Sequence, residues 1–289
     1  MKIVLSPNPH RDRGLKTACT AERILRSAGA EVSICLPFSV KPGQRSELPK
    51  HMIFKELKAE LKGADMLICF GGDGTILHAA QDAIPHKVPI LGVNMGSVGF
   101  MAEVEHGELS LLPKVLTGDY ILEERMMLDI SVIRGGRSVY QSTALNDAVI
   151  TNGAVARIAD LSVYSDGVLL SDFGGDGVIV ATPTGSTAYS MAAGGPIVEP
   201  TAENLIITPI CAHALQAKSF VLDRDRVVEV TVQKNSKKDV FLSADGGKAF
   251  RMQSGDRVTV HRSKHRTKLV RIKGESFYSV VWKKLGKGV

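Results

Sequence analysis

The 289-residue sequence predicts an α/β N-terminal domain, a parallel sheet flanked by helices, followed by a mostly-β C-terminal domain that is β-sandwich-like. Three observations predict it. Up to about residue 118, short apolar runs alternate with helix-period segments, the pattern of strands joined by crossover helices and covered on both faces. Beyond that point apolar runs follow one another at turn-marked intervals with hardly a helical stretch between them. The length also suffices for two cores, and with 44% hydrophobic and 23% charged residues the composition is that of ordinary globular protein. The expected bounds are 1–118 for the α/β domain and 119–270 for the β-rich domain. Residues 271–289 are expected to pack back on the first domain.

Each element has its own warrant. Residues 2–6 are apolar and short, a first strand, and 15–27 carry helical periodicity up to Gly29. Residues 31–36 read as the second strand and 54–61 as a short helix. The compact run 66–70 is a third strand, 75–84 a helix ended by Pro85, 90–94 a strand and 108–116 a further helix. In the second part, 128–133 and 139–143 flank Arg134-Gly135-Gly136-Arg137, a hairpin signal, and Asp166-Gly167 marks another turn. Runs at 178–182, 205–208, 227–232, 240–242, 257–260 and 269–272 continue the strand series, and only 186–193 reads as helical. Residues 37–49, with three Pro and one Gly, read as a loop.

Composition narrows the function. Aromatic residues are 5% of the chain, which argues against stacking platforms for single-stranded nucleic acid. No apolar run approaches the ~20 residues that span a bilayer. The apolar stretch at the N-terminus is too short for a secretory signal, so a cytoplasmic protein is expected. Cys19, Cys35, Cys69 and Cys211 lie far apart without metal-ligand spacing, so packing rather than metal or disulfide chemistry is expected of them. The net charge of +6 is uneven: residues 214–289 hold 18 Lys and Arg against 7 Asp and Glu, a net +11. Such a bias draws anions, although lysines such as Lys234, Lys237 and Lys238 read more simply as turn residues on a solvated surface.

Two segments carry chemistry. Gly71-Gly72-Asp73-Gly74-Thr75 joins a strand to a helix. Glycines there admit close backbone approach, and the free N–H groups of the helix start attract phosphate. Asp73 would lie at the carboxyl edge of the parallel sheet, where such sheets bind ligands and where a carboxylate can accept a hydroxyl proton. A plain tight turn with Asp73 capping its helix is the alternative. Neither the P-loop motif nor the dinucleotide fingerprint of a first βα turn is present. The second segment runs from Asp172 through Gly174-Gly175-Asp176-Gly177 and a short strand to Thr182-Pro183-Thr184-Gly185-Ser186-Thr187-Ala188-Tyr189-Ser190-Met191-Ala192, then to Gly194-Gly195-Pro196. Its hydroxyls and free amides suit ribose or phosphate, with a simple N-cap at Ser186 or Thr187 as the alternative.

Taken together, and with Asn146-Asp147 between them in sequence, these segments closely resemble the NAD kinase family. Asn94-Met95-Gly96-Ser97-Val98-Gly99-Phe100 is similar to the family's Asn-x-Gly-x-x-Gly-Phe stretch. The matches fall in order over roughly residues 65 to 250. The first loop is shared with phosphofructokinases and lipid kinases, whereas Thr182–Tyr189 is far more specific. The resemblance implies that Asp73 is the base acting on the adenosine 2′-hydroxyl of NAD, flanked by Gly72, Gly74 and Thr75. It implies substrate contacts for His78, Asn146, Asp147, Arg157, Gly174, Asp176, Thr187, Ala188, Tyr189, Ser190, Met191, Ala192, Asp245 and Gly247. Two positions depart from the family pattern: Gly174 replaces a basic or polar residue of some relatives, and Lys218 stands where Arg is usual.

The expected activity is transfer of the terminal phosphate of ATP, or of polyphosphate, to NAD to give NADP. The expected accompaniments are Mg²⁺ arriving with ATP, no resident metal site, and a homodimer or homotetramer without nucleic-acid or membrane partners. A lipid or sugar kinase sharing only the first loop, and a catalytically silent NAD-binding regulator, are the alternatives.

Overall fold

The computed structural model describes residues 1–37, 48, 54–96, 99–153, 158–213, 217–232 and 239–286. Most of the 37–49 loop, and Lys234, Lys237 and Lys238, lie outside the described residues. The chain forms two compact units, Met1–Glu124 with Thr267–Val289, and Arg125–Arg266.

In the first unit, β1 (Lys2–Pro7), β2 (Glu31–Ile34), β3 (Met66–Gly71) and β4 (Ile90–Asn94) form a parallel sheet in the order β2-β1-β3-β4. The short β5 (Val104–Glu105) adds to β4. The strands are buried along nearly their whole length, as strands covered on both faces must be. Side-chain alternation divides the coverage. Ile3, Leu5, Ile68, Phe70, Leu91 and Val93 share a core with Ala18, Ala21 and Leu25 of helix α1 (Lys16–Ser27). Gly92, out of phase with that set, faces helix α3 (Asp73–Ala83) so closely that a Cβ would lie 2.5 Å from Ile76. A small helix, α2 (Leu57–Leu61), buries Leu57 and Leu61.

Two helices differ from expectation. The segment 108–116 splits into a 3₁₀ turn, Leu109–Leu111, and the short α4 (Lys114–Thr117), because Pro113 has no N–H to continue a helix. The helix expected from 75 starts at Asp73: Gly72 is its extended N-cap and the following residues already take helical angles.

The chain enters the second unit along β6 (Ile121–Arg134), which turns at Gly135-Gly136 into β7 (Arg137–Ala144). Both glycines have positive φ (55° and 78°), the geometry of a two-residue hairpin turn. β8 (Asp147–Asn152), β9 (Ala159–Ser165), β10 (Val168–Gly175), β11 (Gly177–Ala181), α5 (Tyr189–Ala192), β12 (Asn204–Ile210), β13 (Phe220–Asp223), β14 (Val228–Val232), β15 (Val240–Ala244), β16 (Phe250–Met252) and β17 (Arg257–Arg271) follow. One antiparallel sheet has the order β13-β12-β11-β8-β15-β16. In the other, β10-β9-β14-β17 are neighbours and β6 pairs with β17 and β7. Ile150, Val178, Val180, Leu205 and Leu242 of the first meet Leu128, Leu161, Val163, Val230 and Val258 of the second in one core, so this unit is a sandwich of two sheets. The fold class expected from sequence is therefore present: an α/β part and a mostly-β part.

Two further expectations are revised. The runs 257–260 and 269–272 are one strand, β17, whose middle looked unlike a strand because its inward positions are the hydroxyls Ser263 and Thr267 rather than aliphatics. The helix expected over 186–193 breaks at Ala188 (φ −101°, ψ −128°) into a 3₁₀ turn, Gly185–Thr187, and α5.

The chain after β17 ends in α6 (Phe277–Leu285), which lies in the first unit. Its approach is fixed by Glu103, buried, whose Oε1 accepts the N–H of Ile272 (2.9 Å) and of Lys273 (2.6 Å) while Oε2 pairs with Arg271 at 3.3 Å. Replacing one partner of such a buried group strands the others without solvent. Glu103→Ala is expected to cost about 3 kcal/mol in chemical denaturation, and Glu229→Ala, which removes the exposed pair with Arg257, under about 1 kcal/mol. Equal losses for the two would refute this anchoring.

Candidate active site

In the first unit the site grows from the end of β3. The Asp73 carboxylate makes no capping bond to its own helix. It reaches instead to the segment after β4, where Oδ2 accepts the N–H of Phe100 at 2.8 Å and Oδ1 that of Met101 at 3.1 Å. Gly99 passes so near that a Cβ there would lie 2.1 Å from Oδ1, so no other residue fits without displacing the carboxylate. The segment is itself pinned. Buried Asn94 donates to Glu105 Oε2 (3.0 Å) and accepts from Gly96 N (3.2 Å), and the Met101 carbonyl accepts from Arg271 Nη1 at 3.1 Å. Two amide donors, one to each oxygen, fix the plane of the Asp73 carboxylate and leave each oxygen a lone pair for a further hydrogen.

The glycines of this turn have different reasons. A Cβ on Gly71 would meet Thr75 Oγ1 at 2.2 Å, so Gly71 is required by packing within the turn. Gly72 and Gly74 have no protein atom within 4 Å of the Cβ position and no positive φ. Thr75, expected among the ligand-binding residues, is buried with its hydroxyl accepting from Asn8 Nδ2 at 3.1 Å, so its first role is to hold the turn. His78 is exposed one turn along α3.

In the second unit, Asn146 and Asp147 form the turn into β8, and Asp245 of the 244–247 turn is clamped onto it. The Asp245 carboxylate accepts the N–H of Leu145 (2.7 Å), Asn146 (2.7 Å) and Asp147 (3.1 Å), and its own N–H donates to the Asp147 carbonyl at 3.0 Å. Asp245 is thus a brace that holds the turn, at a left-handed φ of 48°. Thr182 and Gly185 complete the knot. The Thr182 hydroxyl donates to the Leu145 carbonyl at 2.6 Å, and a Cβ on Gly185 would sit 2.1 Å from the Asn146 carbonyl oxygen. Asn146 Oδ1 is buried with no hydrogen-bond partner, an acceptor kept from water at a cost. Burial, and then the Asp245 charge, push the Asp147 carboxyl up to about 7.

The remaining expected residues separate. Asp176 is exposed, accepting from Asn152 Nδ2 at 3.4 Å. Gly174 lies inside β10, where a Cβ would press on the Ile158 side chain at 2.8 Å, so a larger residue there requires Ile158 to shift. The Ser190 hydroxyl is buried and shares a hydrogen bond with Thr208 Oγ1 at 2.9 Å. Thr187 donates to the Thr184 carbonyl at 3.2 Å, while Ala188 and Met191 are half-buried and Tyr189 and Ala192 exposed around the break at Ala188. Gly247 closes its turn by donating to the Ala244 carbonyl at 2.8 Å. Arg157 lies outside the described residues. Burial pushes the thiols of Cys35 and Cys69 up to about 12, so both are inert packing groups. Among the described residues no group of three or more His, Cys, Asp or Glu could hold a metal ion, and no helix is long and apolar enough to cross a membrane. The donor role of the Phe100 and Met101 amides, the close approaches at Gly99 and Gly185 and the Thr182 tie to Leu145 are not legible in the sequence, because backbone donors and close approaches have no residue signature.

A parallel sheet whose carboxyl edge opens through glycines onto a helix start is the framework of nucleotide-binding phosphotransferases. Comparison with known proteins specifies the kind. The ATP-NAD kinase N-terminal domain model matches residues 27–120 and the ATP-NAD kinase C-terminal domain model residues 145–272. The NAD kinase of Acetivibrio thermocellus is 35% identical over 97% of this chain and 96% of its own length, and that of Symbiobacterium thermophilum 48% identical over 76% and 78%. The crystal structure of an Archaeoglobus fulgidus NAD kinase in complex with ATP superimposes with a TM-score of 0.72 at 26% identity, covering 98% of each chain. Yeast NADH kinase, complexed with NADH, shares the fold with a TM-score of 0.85 at 23% identity, covering 100% of this chain and 88% of its own. The chain belongs to the NAD kinase family.

The raised Asp147 carboxyl has a thermodynamic consequence. A carboxyl that binds its proton more tightly in the folded than in the unfolded chain adds stability below about pH 4, and that contribution is lost as pH rises through about 7. Urea midpoints are expected to fall from pH 5 to pH 8 in the wild type more steeply than in Asp147→Asn. Parallel pH profiles for the two proteins would show that Asp147 does not carry this linkage.

Proposed function

We propose that, in the ATP-dependent phosphorylation of NAD to NADP that defines its family, this chain uses Asp73 as the group that receives the acceptor's hydroxyl hydrogen. The observation that carries the reading is the carboxylate held by Phe100 N–H and Met101 N–H beside a turn whose Gly72 and Gly74 face open space. In this reading the adenosine 2′-hydroxyl of NAD donates to Asp73. Its oxygen attacks the terminal phosphorus of ATP, the bond to ADP breaks, and the proton passes to the carboxylate. Because phosphoryl transfer is governed by positioning and charge neutralisation, a fixed carboxylate contributes chiefly by orienting the nucleophile. Mg²⁺ enters with ATP as part of the donor. Gly72 and Gly74 let the donor's phosphates approach the α3 start, where N–H groups are free.

In the second unit, Asn146 and Asp147 are the natural contacts for the dinucleotide. An acceptor with no internal partner and a carboxyl that is half-protonated near neutrality together offer one acceptor and one donor. Asp176, Ala188 and Tyr189 remain accessible for further contacts, and His78 and Arg157 are retained in the proposal as substrate-approaching side chains. We assign the protein to the cytoplasm and expect a homo-oligomer, a dimer or tetramer, which sedimentation of the purified chain will reveal.

Incubation with NAD, ATP and Mg²⁺ should yield NADP, read out with an NADP-specific dehydrogenase. Running polyphosphate and NADH in parallel defines donor and acceptor. Asp73→Asn is expected to lower kcat by about a hundredfold or more, and a variant with full turnover would remove Asp73 from its role. Gly74→Ala should leave thermal stability unchanged or slightly raised, since alanine favours the helix by ~1 kcal/mol over glycine, yet lower kcat/KM for ATP. Unchanged ATP kinetics would mean that the open space at Gly74 is not a donor site.

A further inference from the structure

We propose that Lys284 is a further catalytic residue, its ammonium held over the Phe100 ring by the C-terminal helix so that it binds the phosphoryl group transferred beside Asp73. The proposal deepens the reading of Asp73 given above and rests on it.

The placement is specific. Lys284 Nζ lies 3.9 Å from the centroid of the Phe100 ring, within cation–π range. Phe100 is the residue whose N–H holds Asp73 Oδ2, so the ring of one residue carries the cation and its amide the carboxylate. The helix is seated for this contact. Ser276 caps α6 by accepting from Ser279 N at 3.2 Å, and Phe277 packs on Phe100 with centroids 6.3 Å apart. Lys284 then falls in the last turn, where the helix dipole favours a cation.

The charge balance distinguishes Lys284 from its neighbours. In the same C-terminal stretch Lys268 pairs with Glu124, Lys273 with Glu108 and Lys283 with Glu275. Among the described residues Lys284 forms no ion pair. Desolvation draws its ammonium below the usual lysine range, and the nearby Asp73 charge opposes that shift. A partly desolvated cation resting on a ring, near a carboxylate but not paired with it, is still in want of an anion. The transferred phosphoryl group, attacked by a hydroxyl that donates to Asp73, brings one there. In such a site a lysine neutralises charge as a point donor to phosphate oxygens.

The test compares Lys284→Met and Lys284→Arg in the full chain. Lys284→Met should lower kcat/KM for ATP by about tenfold or more, leave KM for NAD within about twofold, and keep the thermal midpoint. Lys284→Arg should recover part of the loss. Titration with the β,γ-imido analogue of ATP should show weaker binding to Lys284→Met in both the wild-type and the Asp73→Asn background. That second background separates the two readings: full turnover by Asp73→Asn alone defeats the role of Asp73, while weakened analogue binding still upholds Lys284. Unchanged ATP kinetics and analogue binding in Lys284→Met would overturn the proposal. So would a loss confined to KM for NAD, or one that tracks a lowered thermal midpoint and is not relieved by arginine.

Discussion

The first unit depends on one interaction, the Asp73 carboxylate held by the backbone N–H groups of Phe100 and Met101. A charged group half-withdrawn from water has to be satisfied, and here the donors come from a segment with no regular structure. That segment holds its shape only because other polar groups fix it. Asn94 and Glu105 close its beginning, and Arg271 takes the Met101 carbonyl and bridges to Glu103 and Glu123. The chain from Asp73 through Met101 to Arg271 ties the site to the last residues of β17, far along the sequence.

The second unit repeats the device with the roles exchanged. Asp245 takes three amides, and burial together with the Asp245 charge raises the affinity of Asp147 for a proton. Of the two aspartates, the backbone thus satisfies Asp245, while burial raises the pKa of Asp147. Glycine serves both units by close approach: Gly99 against Asp73, Gly185 against Asn146. In each case a methyl group would occupy the position of a functional oxygen or of the carbonyl that shapes the turn.

Asp73, in the first turn of α3, and Lys284, in the last turn of α6, are far apart in sequence. They meet at Phe100, which offers its face to one and its amide to the other. The exposed Tyr278 and Trp282 on the same helix show that α6 is not held by a deep apolar face. Its position depends on the polar anchoring at Glu103 and on the Phe100–Phe277 contact.

The sequence by itself determined the class of each part, since the period of apolar residues sets strand or helix and near-continuous burial marks a parallel sheet. It also determined the two acidic glycine segments, and with them the family, because their residue types fall in the order the family shows. Tertiary structure decided what each side chain does. Thr75 and Ser190 have buried hydroxyls bonded to Asn8 and Thr208, and Asp245, in a turn by sequence, braces the amides of Asn146 and Asp147. No local signal distinguishes these outcomes, because a hydroxyl or carboxylate finds its partner among donors 18 to 100 residues away. The break at Ala188 and the continuity of β17 through Ser263 and Thr267 were hidden for the same reason, whereas the break at Pro113 follows from the proline itself. What the backbone donates and what a glycine permits are properties of the folded path, and the setting of the Asp73 carboxylate is defined by both.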